Sequence, residues 1–416
     1  MSPQLVFIII IAIFAVDFLL ESYLDFLNMK CLSEKPPPEL EDIYDSGKYA
    51  QSQRYERANI RFGLITGTFN LIIILLMFFL DGFATINNMA TAISEHHIVQ
   101  PLIFFAILGL SLDLLNMPFS IYDTFVIEQR FGFNTTTPKI YIADKLKEWL
   151  LTGIIGGGIM AAIIWIYLQT TIYFWLWAWA LISAFSLLMA TFYSSLVVPL
   201  FNKQKPLGDG ELKDAITRHA VEAGFHIDRI YTIDGSKRST KANAYFSGIG
   251  LKKRIVLFDT LIKDLDTEEI VAVLMHEIGH YRQKHIISSM LLSMLQTGVM
   301  LFILSLFVAH PALSQALGVA EPSFHIGLIA FGILFSPISV AVGLMMNIVS
   351  RKHECEADAF AARYGMGKGL IKALKKLSVN NLSNLTPHPL YVFFHYSHPT
   401  LLTRIGKLTL KALQTA

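Results

Sequence analysis

The stretch LVFIIIIAIFAVDFLLESYLDFL, residues 5–27, decides the fold. Its first twelve residues are apolar without a break, and as a helix the whole stretch extends about 35 Å at 1.5 Å per residue. That is enough to cross a hydrocarbon core of about 30 Å. No Lys or Arg precedes it and no small-residue cleavage pattern follows, so it reads as a retained span and not a signal peptide. Six more stretches qualify: 62–80, 99–119, 150–168, 173–198, 287–309 and 326–349. The composition agrees, with 53% of the 416 residues hydrophobic and 16% charged, against about 25% charged in average soluble domains. A water-soluble globule is excluded.

The distribution of Lys and Arg supports seven spans. Segments 28–61, 120–149, 199–286 and 350–416 hold 6, 4, 14 and 10 of them, which is all 34 in the chain. The alternate connections 1–4, 81–98, 169–172 and 310–325 hold none. Because cytoplasmic loops are the ones enriched in Lys and Arg, the N-terminus is expected outside and the C-terminus in the cytoplasm. The net charge of +2 supplies no field for nucleic acid. Two cysteines, Cys31 and Cys355, can build neither a disulfide framework nor a Cys-rich zinc site.

The expected class is mainly α, a seven-helix polytopic membrane protein with a small α/β cytoplasmic portion. Residues 1–198 carry five spans, 199–286 the α/β segment, 287–349 spans six and seven, and 350–416 a mostly helical cytoplasmic end. Within 199–286 the pattern predicts a helix near 210–224, strands at Arg229–Ile233 and Arg254–Phe258, and a helix from about 267. The acidic run 264–269 suits that helix start, with Asp or Thr as the cap. Pro36–Pro38 predicts an exposed turn.

That last helix carries His276-Glu277-Ile278-Gly279-His280. Histidines at i and i+4 share one face and can grip one zinc ion, with Glu277 beside the open coordination position. A catalytic zinc wants a third protein ligand. His285 and His353 qualify by type, but geometry favours Glu354. Spans six and seven form an antiparallel hairpin about a loop near residue 318, and its two arms, to His280 and to Glu354, differ by only about 3 Å at 1.5 Å per residue. Asp358, one turn further, can accept a hydrogen bond from a ligand histidine and fix its tautomer.

These residues resemble the zinc site of the integral-membrane CAAX prenyl proteases of type I. The resemblance covers HEIGH (276–280), SRKHECEADAFA (350–361), NAYFSG (243–248), HYSHP (395–399) with Arg404, and EQRFGFN (128–134) in the membrane half. It implies seven helices enclosing a water-filled chamber, with one zinc ion per chain near its cytoplasmic end. It implies that Asn243, Ala244 and Tyr245 belong to an edge strand that holds the substrate backbone. It also places His398 and Arg404 at the active site, as donors to the oxyanion of the tetrahedral intermediate. A zinc ion brings the pKa of water from 15.7 to about 7, and Glu277 is placed to take the proton and pass it to the leaving amine. The implied substrate is a membrane-associated protein carrying a prenylated CaaX end. The short outside loops are more similar to bacterial members, which sets the expectation of a bacterial inner membrane over the endoplasmic reticulum; the chain's own end, Leu-Gln-Thr-Ala, carries neither CaaX nor a Lys-Asp-Glu-Leu type signal.

His285, His310, His388 and His395 are expected to be structural. Asp17, Glu21 and Asp113 are ionisable groups inside spans and so candidates for function, while Asn70, Asn116, Gln296 and Asn347 are expected to bond between helices. Two other functions fit parts of the pattern. HtpX-type heat-shock proteases share the zinc motifs and would act on misfolded membrane proteins. A channel or transporter with a structural metal would use Asp17 and Asp113 but would leave Glu277 unexplained.

Overall fold

The computed structural model describes residues 2–33, 35–36, 43–170, 173–225, 229–248 and 254–415, the side chains of 412–415 excepted. Pro37 and Pro38 of the expected proline turn, and residues 171–172 of the connection 169–172, lie outside the described residues. Seven helical segments are long and apolar enough to span a membrane. They are α1 (Pro3–Lys30), α2 (Ser46–Phe79), α4 (Val99–Tyr122, continued as a π-helical turn to Glu128), α5 and α6 (Pro138–Leu151 and Gly157–Thr170, joined by a π-helical turn), α7 (Phe174–Leu196, with α8, Val198–Phe201, after it), α12 (His285–Phe307) and α14 (Phe324–Arg363). Each of the seven expected spans coincides with one of these segments, overrunning it by no more than two residues at an end. Several run well past the bilayer, α14 by enough to carry Glu354 beyond the expected end of span seven. Two of the connections free of Lys and Arg are more ordered than loops: α3 (Gly82–Ile93) lies in 81–98 and α13 (Pro311–Ala316) in 310–325.

The packing is segregated to the ends of the spans. At one end Val6, Ile10, Phe78, Phe83, Phe104, Ile164, Phe174, Leu301, Leu304 and Phe331 form a continuous buried core. Between that core and the opposite end, residues 11–23, 61–77, 105–126, 138–163, 179–193, 286–300 and 336–353 contain no buried side chain. The shortest of these stretches is about 20 Å long at 1.5 Å per residue. A solid helix bundle buries one face of every helix along its length. Here neighbouring spans still touch, as Trp179 does the Met294 carbonyl at 2.8 Å, yet none buries a face over this length, the pattern of helices that wall an enclosed space.

The other end is closed by the α/β portion. A four-stranded sheet, in spatial order β1 (Gln204–Pro206), β2 (Ile230–Ile233), β4 (Arg254–Phe258), β3 (Ala244–Ser247), has β2 and β4 parallel and both outer pairings antiparallel. Helices α9 (Glu211–Glu222), α10 (Asp259–Asp264), α11 (Thr267–Arg282) and α15 (Gly367–Asn380) accompany it, and α16 (Pro389–His395) and α17 (Leu401–Thr415) complete the chain. Ile216, Phe225, Ile255, Leu257, Ile270 and Phe360 meet in its core. The α11 start predicted from the acidic run is a capping box: the Asp266 carboxylate accepts from the Glu269 N–H, and the Glu269 carboxylate accepts from the Asp266 N–H.

Among the intramembrane polar groups, Asp113 accepts from Lys145 at 2.9 Å and Trp149 at 2.8 Å, and Glu21 lies 3.4 Å from His395. Asn347 bonds across to the Phe394 carbonyl, as expected. Asn116 differs: it turns back onto the Leu112 carbonyl of its own helix, one turn away, where no second helix is needed. His310 and His388 are indeed structural. Each precedes a proline and caps a helix, its Nδ1 accepting a backbone N–H two residues on.

Candidate active site

Helix α11 delivers His276, Glu277 and His280, and α14 brings Glu354 and Asp358 against them. The approach is close because α11 carries Gly279 at the contact. A Cβ there would meet the Phe360 Cβ at 3.0 Å and the Ala357 Cα at 3.1 Å. His276 Nε2 and His280 Nε2 lie 3.2 Å apart; Glu354 Oε1 is 3.2 Å from His280 Nε2, and Glu354 Oε2 is 3.5 Å from His276 Nε2. Tetrahedral ligands bonded at about 2.0–2.1 Å stand about 3.3 Å from one another. The three side chains therefore have the spacing of one metal's ligand set. Glu354 is only 5% exposed, and its Oε2 is a buried acceptor without a hydrogen bond, which a bound cation would satisfy.

The surroundings orient these groups. His276 Nδ1 lies 2.9 Å from Asp358 Oδ1, so its Nε2 is the nitrogen turned toward His280 and Glu354. Asp358 in turn accepts from Arg404 Nε at 2.9 Å and Nη2 at 2.6 Å. Arg404 Nη1 faces Glu354 Oε2 at 3.4 Å. Burial alone would push the His276 imidazole down, but Asp358 and Glu354 outweigh it and hold its pKa up at about 9. Glu277 is half-buried and has no hydrogen-bond or ion-pair partner among the described residues, so its carboxylate is free for chemistry. The His398 ring is 61% exposed, with Nε2 3.3 Å from Glu354 Oε1 and Nδ1 2.9 Å from Ser397 Oγ.

The segment 243–247 forms the sheet edge. Tyr245 pairs with Val256 of β4, and the Asn243 carbonyl accepts from the Phe258 N–H. No strand pairs with the other side of β3 among the described residues. The Tyr245 hydroxyl reaches Ser194 of α7 at 3.3 Å, and the Phe246 ring lies 5.6 Å from Tyr281, the residue after His280. The strand thus bridges a membrane helix and the helix bearing both histidines.

The EQRFGFN motif anchors the approach to this strand. Lys241 donates to Tyr55 Oη and Glu128 Oε2, each at 2.9 Å, and Tyr55 donates to the same carboxylate. Burial disfavours the Lys241 charge, but those two partners more than offset it and raise its pKa. Alongside, the Thr240 N–H donates to the Phe133 carbonyl, the Thr135 N–H donates to the Arg238 carbonyl, and Arg238 forks onto Asp144 at 2.7 and 2.9 Å.

The same architecture runs through known proteins. Residues 26–203 match the model described as CAAX prenyl protease N-terminal, five membrane helices, and residues 206–412 match peptidase family M48. The chain belongs to the CAAX prenyl protease family of M48 peptidases. Among its relatives, CAAX prenyl protease 1 of Saccharomyces cerevisiae is 35% identical, with 98% of this chain and 96% of that protein covered. The CAAX prenyl protease 1 homolog of Dictyostelium discoideum is also 35% identical, over 97% of both chains. The crystal structure of S. mikatae Ste24p superposes with a TM-score of 0.91 at 37% identity, covering 97% of this chain and 98% of that one. The chain is an integral, multi-pass membrane metalloprotease. Full-length matches of this kind favour it over the shorter heat-shock protease type. The relatives named here are eukaryotic, so the bacterial membrane expected from short outer loops finds no support among them.

Proposed function

We propose that the protein is a zinc-dependent endopeptidase that cuts near the C-terminus of prenylated CaaX proteins. The carrying observation is the convergence of His276, His280 and the hydrogen-bond-deficient Glu354 carboxylate at tetrahedral spacing. Such a site fits one zinc ion, which when bound acts as a Lewis acid and makes water acidic enough to be a nucleophile near neutral pH. His276, His280 and Glu354 hold it, a two-histidine-plus-glutamate donor set. Glu277, unpaired and beside the site, takes the proton of the attacking water and returns it to the leaving amine. His398 offers an exposed ring as hydrogen-bond donor to the oxyanion. Arg404, the second donor to the oxyanion, also braces Asp358 through Nε and Nη2, which turns its Nη1 to the side facing Glu354.

The peptide adds as a strand to the free edge at Asn243, Ala244 and Tyr245, gaining main-chain hydrogen bonds nearly independent of sequence. The walled interior receives the lipid part of the substrate. The similarity to proteins named CAAX prenyl proteases supports this substrate class. The one-sided distribution of Lys and Arg supports an outside N-terminus, a cytoplasmic peptidase end and a lipid-embedded barrel.

The test is cleavage of a farnesylated CaaX peptide and its unprenylated twin by wild type and Glu277→Gln. The proposal expects preference for the lipidated peptide and no cleavage by a Glu277→Gln protein that still binds zinc. Equal cleavage of both peptides would remove prenyl recognition, and full activity of Glu277→Gln would remove the general base.

A further inference from the structure

The two histidines of the metal site are held from behind in different ways. His276 leans directly on the Asp358 carboxylate. His280 has no carboxylate behind it. Its Nδ1 faces another imidazole nitrogen, Nδ1 of His285, at 3.1 Å. The far nitrogen of His285, Nε2, lies 3.0 Å from Glu356 Oε2. The sequence marked His285 only as structural or as a ligand by type, and Glu356 not at all.

Only one assignment of hydrogens satisfies this chain. His280 Nε2 is turned toward His276 and Glu354, so it must be bare to serve as a ligand and the ring's hydrogen is on Nδ1. Two facing Nδ1 atoms cannot both carry hydrogen, so His285 Nδ1 is the acceptor. Its hydrogen is then on Nε2, donated to Glu356. We propose that His285 and Glu356 form a positioning relay that fixes the tautomer and ring plane of His280 for metal binding. The inference rests on the metal site proposed above and deepens it.

The fold is arranged to keep this relay in place. Helix α11 ends at Arg282, and Lys284 takes a left-handed conformation (φ 60°) that turns the chain from the peptidase helix into α12. His285 is the first residue of α12 and is brought back beside His280, five positions earlier. It is 5% exposed, so water does not compete for its nitrogens. The His353 ring stacks on its face at 4.0 Å between centroids and 9° between planes, leaving little rotational freedom. Glu356 comes from α14, two residues after Glu354, so one helix supplies a ligand to the metal and an anchor to the relay. Partners of this kind usually change metal affinity by about 10–100-fold when removed.

The experiment is a chelator competition giving zinc affinity for full-length wild type and for His285→Leu, His285→Asn, Glu356→Leu and Glu356→Gln. The d–d absorption of the cobalt-substituted proteins is recorded alongside. His285→Leu should weaken zinc binding by about 10–100-fold and shift the cobalt bands. His285→Asn, whose amide oxygen can accept from His280 Nδ1–H, should restore both, and Glu356→Gln should outperform Glu356→Leu. Equal affinity for all variants, or His285→Asn as impaired as His285→Leu, would overturn the relay. So would a second zinc equivalent that disappears in His353→Ala, because His285 Nε2 would then be a ligand and not a donor. A wild type that binds no zinc would instead defeat the metal site itself.

Discussion

Gly279 and Ala357 touch backbone to backbone: a Cβ on Gly279 would lie 3.1 Å from the Ala357 Cα and 3.2 Å from its carbonyl oxygen. This contact sets the separation of α11 and α14, and with it the distance from both histidines to Glu354. Backbone atoms cannot swing aside as a side chain can. Gly279→Ala should therefore spread the helices by a few tenths of an ångström, cost about 1–3 kcal/mol of stability and weaken zinc binding. Thermal unfolding with and without zinc checks this. Unchanged affinity would mean that the helices are not set by this glycine.

Arg404 and Asp358 form a buried, forked ion pair. Removing Arg404 leaves the buried Asp358 carboxylate with His276 as its one remaining partner, so Arg404→Met should cost up to about 3–5 kcal/mol. Adding Asp358→Asn should recover part of that loss while leaving zinc affinity reduced, because His276 keeps a weaker partner. Denaturant titration of the single and double variants would show this as a non-additive cycle. Additive losses would contradict the pairing.

In the metal-free site His276 titrates near pH 9, so at neutral pH its Nε2 is protonated where the metal must bind. Zinc loading at pH 7.5 should release this proton, and apparent affinity should fall as pH drops. Because the folded-state pKa is raised, the metal-free protein holds an extra proton between pH 6.5 and about 9, and this contribution to stability is lost as pH rises through that window. Calorimetric titration in two buffers of different ionisation enthalpy measures the release. The same heat in both would refute it.

Lys241 ties the loop before β3 to Glu128 and Tyr55 of the membrane half. Lys241→Met should raise KM more than it lowers kcat, since the strand that docks the peptide loses its anchor while the metal ligands stay put. Zinc content should be unaffected. A pure kcat loss would place the clamp in the chemistry and not in substrate binding.

Hydropathy made the spans legible because lipid imposes a length that soluble folds do not, and the arm lengths of the α12–α14 hairpin placed Glu354 level with His280 without any motif. The strands at 230–233 and 254–258 were legible as short apolar runs. The edge position of β3 was not readable from the residues alone, since it depends on the sheet order β1-β2-β4-β3 and not on any property of NAYF. The placement of His285 beside His280 depends on one left-handed residue, Lys284, that periodicity does not encode. Glu128 and Lys241 meet across 113 positions, beyond the reach of local patterns.

The most direct test is elemental analysis of purified full-length protein beside His280→Ala and Glu354→Ala. One zinc per chain in the wild type, falling far below one in both variants while they remain folded, is the predicted result. Full zinc in either variant, or none in the wild type, would contradict the site on which the protease rests.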